Sequence, residues 1–127
     1  MLLLLSLLSL LACGDKDDSS VPDDWDSANQ VLVNSCAFSS CHGEGQSGLT
    51  LVDGDPDANY AEIVEVEAED EPGEILVVPG DHAASYLWRK CAADAGISGD
   101  PMPPPDGLDS GSLAIIQAWI DAGASQD

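Results

Sequence analysis

The residues best suited to chemistry are two cysteines and a histidine: Cys36, Cys41 and His42. A Cys-His dipeptide with a second cysteine shortly upstream is the usual attachment sequence of a c-type haem. The thiols add to the haem vinyl groups, and the adjacent imidazole becomes an axial ligand of the iron. The usual spacing is C-x-x-C-H, whereas four residues separate the two cysteines here. The motif therefore predicts one covalently bound haem c, attached with an unusual spacing.

A haem that transfers electrons needs a second axial ligand, and two side chains are candidates. Met102 lies in the proline-rich segment 100–105, well after His42 in the chain. A thioether is a soft ligand that favours Fe(II) and raises the reduction potential. His82 is the other candidate, but a histidine that follows Asp81 at a predicted helix start is more often a surface residue. We therefore expect His42 and Met102 to be the iron ligands.

Four short helices are predicted to position these residues, because apolar side chains recur at helical spacing in four segments. The segments are 25–35, 57–66, 82–92 and 110–122. Aspartates precede three of them and are good N-caps: Asp23 or Asp24, Asp81, and Asp109, or else Ser110. Glycine and proline clusters mark long loops between the helices. The sequence predicts an all-α domain that covers residues 25–124.

The predicted core is thin, because the chain contains only three Trp, two Tyr and one Phe. A small domain with much loop has little apolar surface to bury. A covalent haem would supply a large apolar body for the helices to pack around. The composition is therefore compatible with the haem motif.

The chain is strongly acidic, with 24 Asp and Glu against three Lys and Arg and a net charge of −21. This charge excludes nucleic-acid binding, which needs cations to neutralise phosphates. It also disfavours electrostatic adhesion to anionic lipids. It permits steering toward a basic partner, such as a redox protein, but a highly solvated surface without such a partner would carry the same charge.

The first residues have the pattern of an export signal. Residues 2–12 form an apolar run too short to span a membrane, and the sequence Leu11-Ala12-Cys13-Gly14 follows the pattern of a bacterial lipoprotein signal. We expect cleavage before Cys13 and acylation of its thiol, although no Lys or Arg precedes the run. Residues 13–24 are polar and predict a flexible tether. The protein is expected to be exported and lipid-anchored to a bacterial membrane, facing the periplasm or the cell exterior.

From residue 25 to residue 124 the chain resembles the small c-type cytochrome domains of exported bacterial proteins, including those of myxobacteria and planctomycetes. The resemblance covers about four-fifths of the chain. Its motifs are, in order, Cys41-His42-Gly43, Gly48-Leu49-Thr50-Leu51, Val77-Val78-Pro79-Gly80-Asp81, Ser85-Tyr86-Leu87-Trp88-Arg89-Lys90, Met102-Pro103-Pro104 and Ile116-Gln117-Ala118-Trp119-Ile120-Asp121-Ala122-Gly123-Ala124.

The resemblance implies a cytochrome c-like fold of about four helices, with the last helix packed against the first. It implies that His42 is the proximal ligand and Met102 the distal one. Members of this group also carry the longer cysteine spacing. In the family a proline often stands at the position of His82, which argues further against His82 as a ligand.

The cysteines leave two attachment schemes open. In the first, Cys36 and Cys41 both form thioethers and Cys91 is a spare buried thiol. In the second, only Cys41 attaches the haem, and Cys36 pairs with Cys91 in a disulfide. The count of cysteines in an exported protein favours the second scheme, since it leaves none unpaired once Cys13 carries lipid.

The leading function is therefore a mono-haem electron carrier with no catalytic residue. One alternative is a haem peroxidase or gas sensor in which a labile Met102 leaves the iron open. Another is a haem-free exported module with its cysteines in disulfides or on zinc. Zinc would require Cys41 and the adjacent His42 to serve one tetrahedral site, whose ligands are usually spaced further apart.

Overall fold

The computed structural model describes residues 20–127. The predicted signal peptide, the lipid site at Cys13 and the tether up to residue 19 lie outside these residues. Across the described part of the chain, no helix combines the length and apolar character needed to cross a membrane.

Four α-helices form the framework of the described domain. They are α1 (Trp25–Cys36), α2 (Pro56–Ile63), α3 (Tyr86–Cys91) and α4 (Ser110–Asp121). Two short 3-10 turns, His42–Glu44 and Gln46–Gly48, follow α1. Between residues 20 and 127 extended pairing is limited to two isolated bridges, Val64 with Val77 and Glu67 with Ile75. The expectation of an all-α domain with four helices and long loops is confirmed.

The first and last helices begin where the sequence predicts. The Asp24 side chain accepts a hydrogen bond from the Ser27 backbone N–H at 2.8 Å, and Asp109 accepts one from Ser112 at 2.9 Å. These bonds stabilise the charged carboxylates and lower the pKa of both aspartates. Each cap satisfies a backbone N–H that has no partner within the helix.

The third helix is shorter than predicted, and Asp81 is not its N-cap. Asp81 instead accepts a hydrogen bond from the Ala84 N–H at 3.1 Å and closes a separate turn, while α3 starts after Ser85. The N–H of Tyr86 donates to the Ile75 carbonyl at 2.9 Å. Because this N–H is engaged by a neighbouring segment, it cannot continue a helix back to residue 82.

The second helix also differs from its predicted range of 57–66. It starts at Pro56, capped by Asp55, and ends at Ile63. Beyond it the Glu65 N–H donates to the Val77 carbonyl at 2.9 Å. Pairing with the apolar segment 75–78 therefore replaces the last predicted turn.

The core lies between α1 and α4, which pack against each other. The rings of Trp25 and Trp119 lie 4.9 Å apart, and Tyr60 meets the edge of Trp25 at 5.3 Å. Aromatic pairs of this kind contribute about 0.5–1.5 kcal/mol beyond their burial. The Tyr60 hydroxyl donates to the Ala124 carbonyl at 2.7 Å and fixes the chain after α4. The expected packing of the last helix against the first is confirmed, and three of the six aromatic residues, Trp25, Tyr60 and Trp119, lie together there.

Candidate cofactor site

A cavity of about 320 Å³ opens beside the core, between α1, the segment 42–51, α3 and the segment around residue 102. Its volume lies at the lower end of the range of about 300–1,000 Å³ that is typical of small-molecule sites. The lining brings together four residues that the sequence singled out: Cys36, His42, Cys91 and Met102. These residues come from three parts of the chain, the motif 36–42, the end of α3 and the proline-rich segment, so their convergence is a property of the fold.

The His42 imidazole is held by the loop that follows it. Its Nδ1 lies 2.9 Å from the Gln46 carbonyl oxygen and 3.2 Å from the Leu49 carbonyl oxygen. Carbonyls only accept hydrogen bonds, so Nδ1 carries the proton and Nε2 keeps its lone pair. No residue in the described chain forms a hydrogen bond with Nε2. Metal-binding histidines are normally oriented in this way, by donating the second ring N–H to a carbonyl or a carboxylate.

The tight turn around His42 depends on Gly43. The N–H groups of Cys41 and Gly43 both donate to the Phe38 carbonyl at 2.9 Å. A Cβ at Gly43 would lie only 2.6 Å from the Ala37 carbonyl oxygen and 2.8 Å from that of Phe38. These neighbours are backbone atoms with little freedom to move, so a glycine is needed immediately after the histidine.

Met102 is held along the end of α3. Its own N–H donates to the Lys90 carbonyl at 2.9 Å, and the Leu108 N–H donates to the Cys91 carbonyl at 2.9 Å. The proline-rich segment therefore has an anchor on α3 at Met102 and another at Leu108. Met102 is half-buried and lines the cavity, as does His42.

The three cysteines within residues 20–127 have different environments. Cys36 ends α1 and Cys91 ends α3, and both are buried in the cavity lining. Cys41 is half-buried and is not part of that lining. The three thiols are free in the structure. Both attachment schemes for the haem remain predictions.

Burial keeps the two cavity thiols protonated at neutral pH. It raises the pKa of Cys36 to about 11, with a smaller contribution from the nearby Cys41. Burial also raises the pKa of Cys91, and the neighbouring Cys36 raises it further, although Lys90 opposes the shift. Neither thiol is a ready nucleophile as it stands.

His82 lies away from the cavity. Its Nδ1 is 2.8 Å and 2.9 Å from the two carboxylate oxygens of Asp121, at the end of α4. Its ring also lies 4.5 Å from the ring of Trp88. The structure thus brings Met102 to the site of His42 and leaves His82 on another surface.

Sequence reasoning missed several residues of the cavity. The carbonyls of Gln46 and Leu49 are backbone groups, and no side-chain pattern could identify them as partners of His42. Lys90 falls in the predicted helix 82–92 and received no role in the site, yet it lines the cavity. Within residues 20–127, no group of three or more His, Cys, Asp or Glu gathers to hold a metal ion. The zinc alternative therefore has no ligand set in this part of the chain.

Comparison of the chain with known protein families, with characterised proteins and with solved structures finds no match. The cavity, its lining and the hydrogen bonds that orient His42 are therefore the features on which a function can be proposed.

Proposed function

We propose that this protein is a mono-haem c-type cytochrome that carries single electrons. The observation that supports this most strongly is the shared cavity of His42 and Met102, with the His42 Nδ1 proton held by two carbonyls. An imidazole and a thioether on one apolar cavity form a ligand pair suited to haem iron. The haem motif in the sequence provides an independent reason for the same cofactor.

The residues around the cavity fit a haem. Leu32, Leu49, Leu51 and Leu87 line it, so most of its surface is apolar. Such walls exclude water from a buried macrocycle and influence its reduction potential. A bound haem would supply reversible one-electron exchange between Fe(III) and Fe(II).

Each site residue has a separate role in this proposal. His42 would present Nε2 as the proximal ligand, and the carbonyls of Gln46 and Leu49 orient the ring through Nδ1. Met102 would present its thioether as the distal ligand. Cys41, with or without Cys36, would form the thioether attachment. No substrate is transformed, so no catalytic residue is assigned.

The proposal includes a location. The apolar leader and Cys13 suggest an exported lipoprotein, anchored by its acylated N-terminus. A polar tether would allow the domain to reach redox proteins near the membrane. The acidic composition favours basic partners.

A pyridine haemochrome assay tests the proposal. The protein is produced with the maturation proteins that attach c-type haem, and covalent haem is measured after acid–acetone extraction. The wild-type protein should retain one haem, with the spectrum of a six-coordinate low-spin iron. Absence of covalent haem from the folded wild-type protein would refute the proposal.

Three variants assign the ligands. His42→Ala should lose low-spin haem, because the imidazole provides the proximal bond. Met102→Ala should retain covalent haem but bind carbon monoxide rapidly when reduced, because the distal position is open. His82→Ala is the matched control and should keep the wild-type spectrum, since His82 is bonded to Asp121 outside the cavity. A wild-type protein that itself binds carbon monoxide rapidly would support the gas-sensor alternative.

A further inference from the structure

The cavity lining contains four acidic side chains and one cationic side chain. The acidic residues are Glu69, Asp70, Glu71 and Asp100. Lys90 is the only cationic side chain that the described residues contribute to the cavity lining. A ligand with an anionic edge would therefore meet attraction at Lys90 and repulsion near the four carboxylates.

Lys90 is held in place by the loop that follows α3. Its Nζ donates to the Ser98 carbonyl at 2.7 Å, and the Ser98 N–H donates to the Tyr86 hydroxyl at 3.2 Å. Gly99, with φ of +69°, lies beside the ammonium, and a Cβ there would be in van der Waals contact with Nζ at 3.8 Å. An ammonium has three N–H donors, so two remain free for a ligand.

The neighbouring cation does not share this arrangement. The Arg89 guanidinium donates to a Glu74 carboxylate oxygen at 2.9 Å and to the Gly96 carbonyl at 3.0 Å. It also lies over the Tyr86 ring, 5.5 Å from its centre. Arg89 is not part of the cavity lining. Its charge is already paired, whereas the described residues place no carboxylate within ion-pair distance of Lys90.

We propose that Lys90, positioned by Ser98, is a carboxylate-binding subsite of the cavity and receives a propionate of the haem. This inference depends on the proposed function, because a haem combines a large apolar body with two carboxylates at one edge. The apolar walls would hold the body, and the Lys90 ammonium would neutralise one carboxylate with a charge-assisted hydrogen bond. The subsite fixes which way the propionate edge faces: one propionate meets Lys90, the only cation that the described residues contribute to the lining.

The wild-type protein provides the first test. Reduced low-spin iron is diamagnetic, so nuclear Overhauser effects can be measured between haem and side-chain protons. The haem propionate methylene protons should show effects to the Lys90 ε-methylene protons. Effects from both propionates to residues 69–71, with none to Lys90, would overturn the inference.

Potentiometry of variants provides the second test. Removing a cation beside the haem stabilises the more positive, oxidised state, so Lys90→Gln should lower the midpoint potential. Lys90→Arg keeps the charge and should restore the potential. Arg89→Gln is the matched control and should shift the potential less, because Glu74 already neutralises Arg89.

The outcomes separate the two proposals. Folded wild-type protein without covalent haem refutes the cytochrome assignment and the propionate subsite together. Haem-loaded protein in which Lys90→Gln and Arg89→Gln shift the potential equally refutes the subsite alone. If Lys90→Gln does not fold, the wild-type nuclear Overhauser effects decide the question.

Discussion

Cys36 and Cys91 are buried thiols at the ends of two different helices, and both line the cavity. Disulfides form and persist in oxidising compartments, and the proposed export would bring these two thiols into one. Their oxidation would release two protons and two electrons to a disulfide-bearing thiol oxidase, which becomes a dithiol. Of the cysteines in the motif, Cys41 alone would then be left to attach the haem.

We therefore expect a disulfide between Cys36 and Cys91 in the exported protein. Mass spectrometry of non-reduced peptides should find the Cys36 and Cys91 peptides joined, and the haem on the Cys41 peptide alone. Cys91→Ser is the matched variant and should leave Cys36 open to alkylation. A haem peptide with two thioethers, or a freely alkylated Cys91 in the wild-type protein, would contradict the prediction.

The types of the site residues could be predicted from sequence, but their surroundings could not. His42 and Met102 stand out because few residue types bind haem iron and the chain has few of them. The acceptors of the His42 proton are the carbonyls of Gln46 and Leu49, which any residue would supply. Lys90 could not be identified for a related reason. Its proposed role in binding a carboxylate depends on the Ser98 carbonyl, and the loop from residue 96 to 100 has no periodic pattern.

At the scale of elements, the sequence predicted a helix boundary correctly where local hydrogen bonds set it, and wrongly where pairing with a distant segment set it. Asp24 and Asp109 cap helices because a carboxylate three residues before a free N–H is a local arrangement. Asp81 offers the same signal but closes a turn, because the first N–H groups of α3 bond to residues 75 and 76. Pairing with a distant segment thus decides where α3 begins. Helix propensity and capping residues are local properties of the sequence and do not predict this pairing.

Gly107 determines how closely the proline-rich segment approaches α3. Its φ is +84°, and a Cβ there would overlap the Cys91 carbonyl oxygen. The Leu108 N–H donates to this same carbonyl at 2.9 Å. The contact therefore fixes the segment that carries Met102.

Gly107→Ala should destabilise the domain more than Gly54→Ala does. Both glycines have φ of +84°, but nothing lies within 4 Å of a Cβ at Gly54. The backbone strain should cost about 1–2 kcal/mol in each variant, and the overlap should add to it only in Gly107→Ala. Chemical denaturation measures the difference, and equal free energies of unfolding for the two variants would show that the contact with α3 is unimportant.

At the scale of the whole molecule, charge is the dominant feature. Within residues 20–127 the cations are Arg89 and Lys90, and the structure pairs Arg89 with Glu74. The remaining surface therefore carries a strongly negative field. Such a field accelerates encounters with cationic molecules and is screened by salt.

In the proposed electron carrier, the rate of electron exchange should accordingly depend on the charge of the reaction partner. Oxidation of the reduced protein by a cationic cobalt complex should be fast at low ionic strength and slow down as salt is added. Oxidation by anionic hexacyanoferrate(III) should show the opposite trend. Stopped-flow measurement of both reactions provides the test, and salt-independent rates with both oxidants would show that the field does not steer encounter.

The hydrogen bonds of the two imidazoles have a consequence for their electronic character. His82 faces a carboxylate, Asp121, and a histidine paired in this way is a more basic metal ligand. His42 faces only neutral carbonyls, which orient its ring. In the proposed site the proximal ring would thus be a moderate electron donor and would add little electron density to stabilise Fe(III). Together with a thioether on the other side, this arrangement would favour reduced iron, and the proposed carrier would release its electron only to a stronger oxidant.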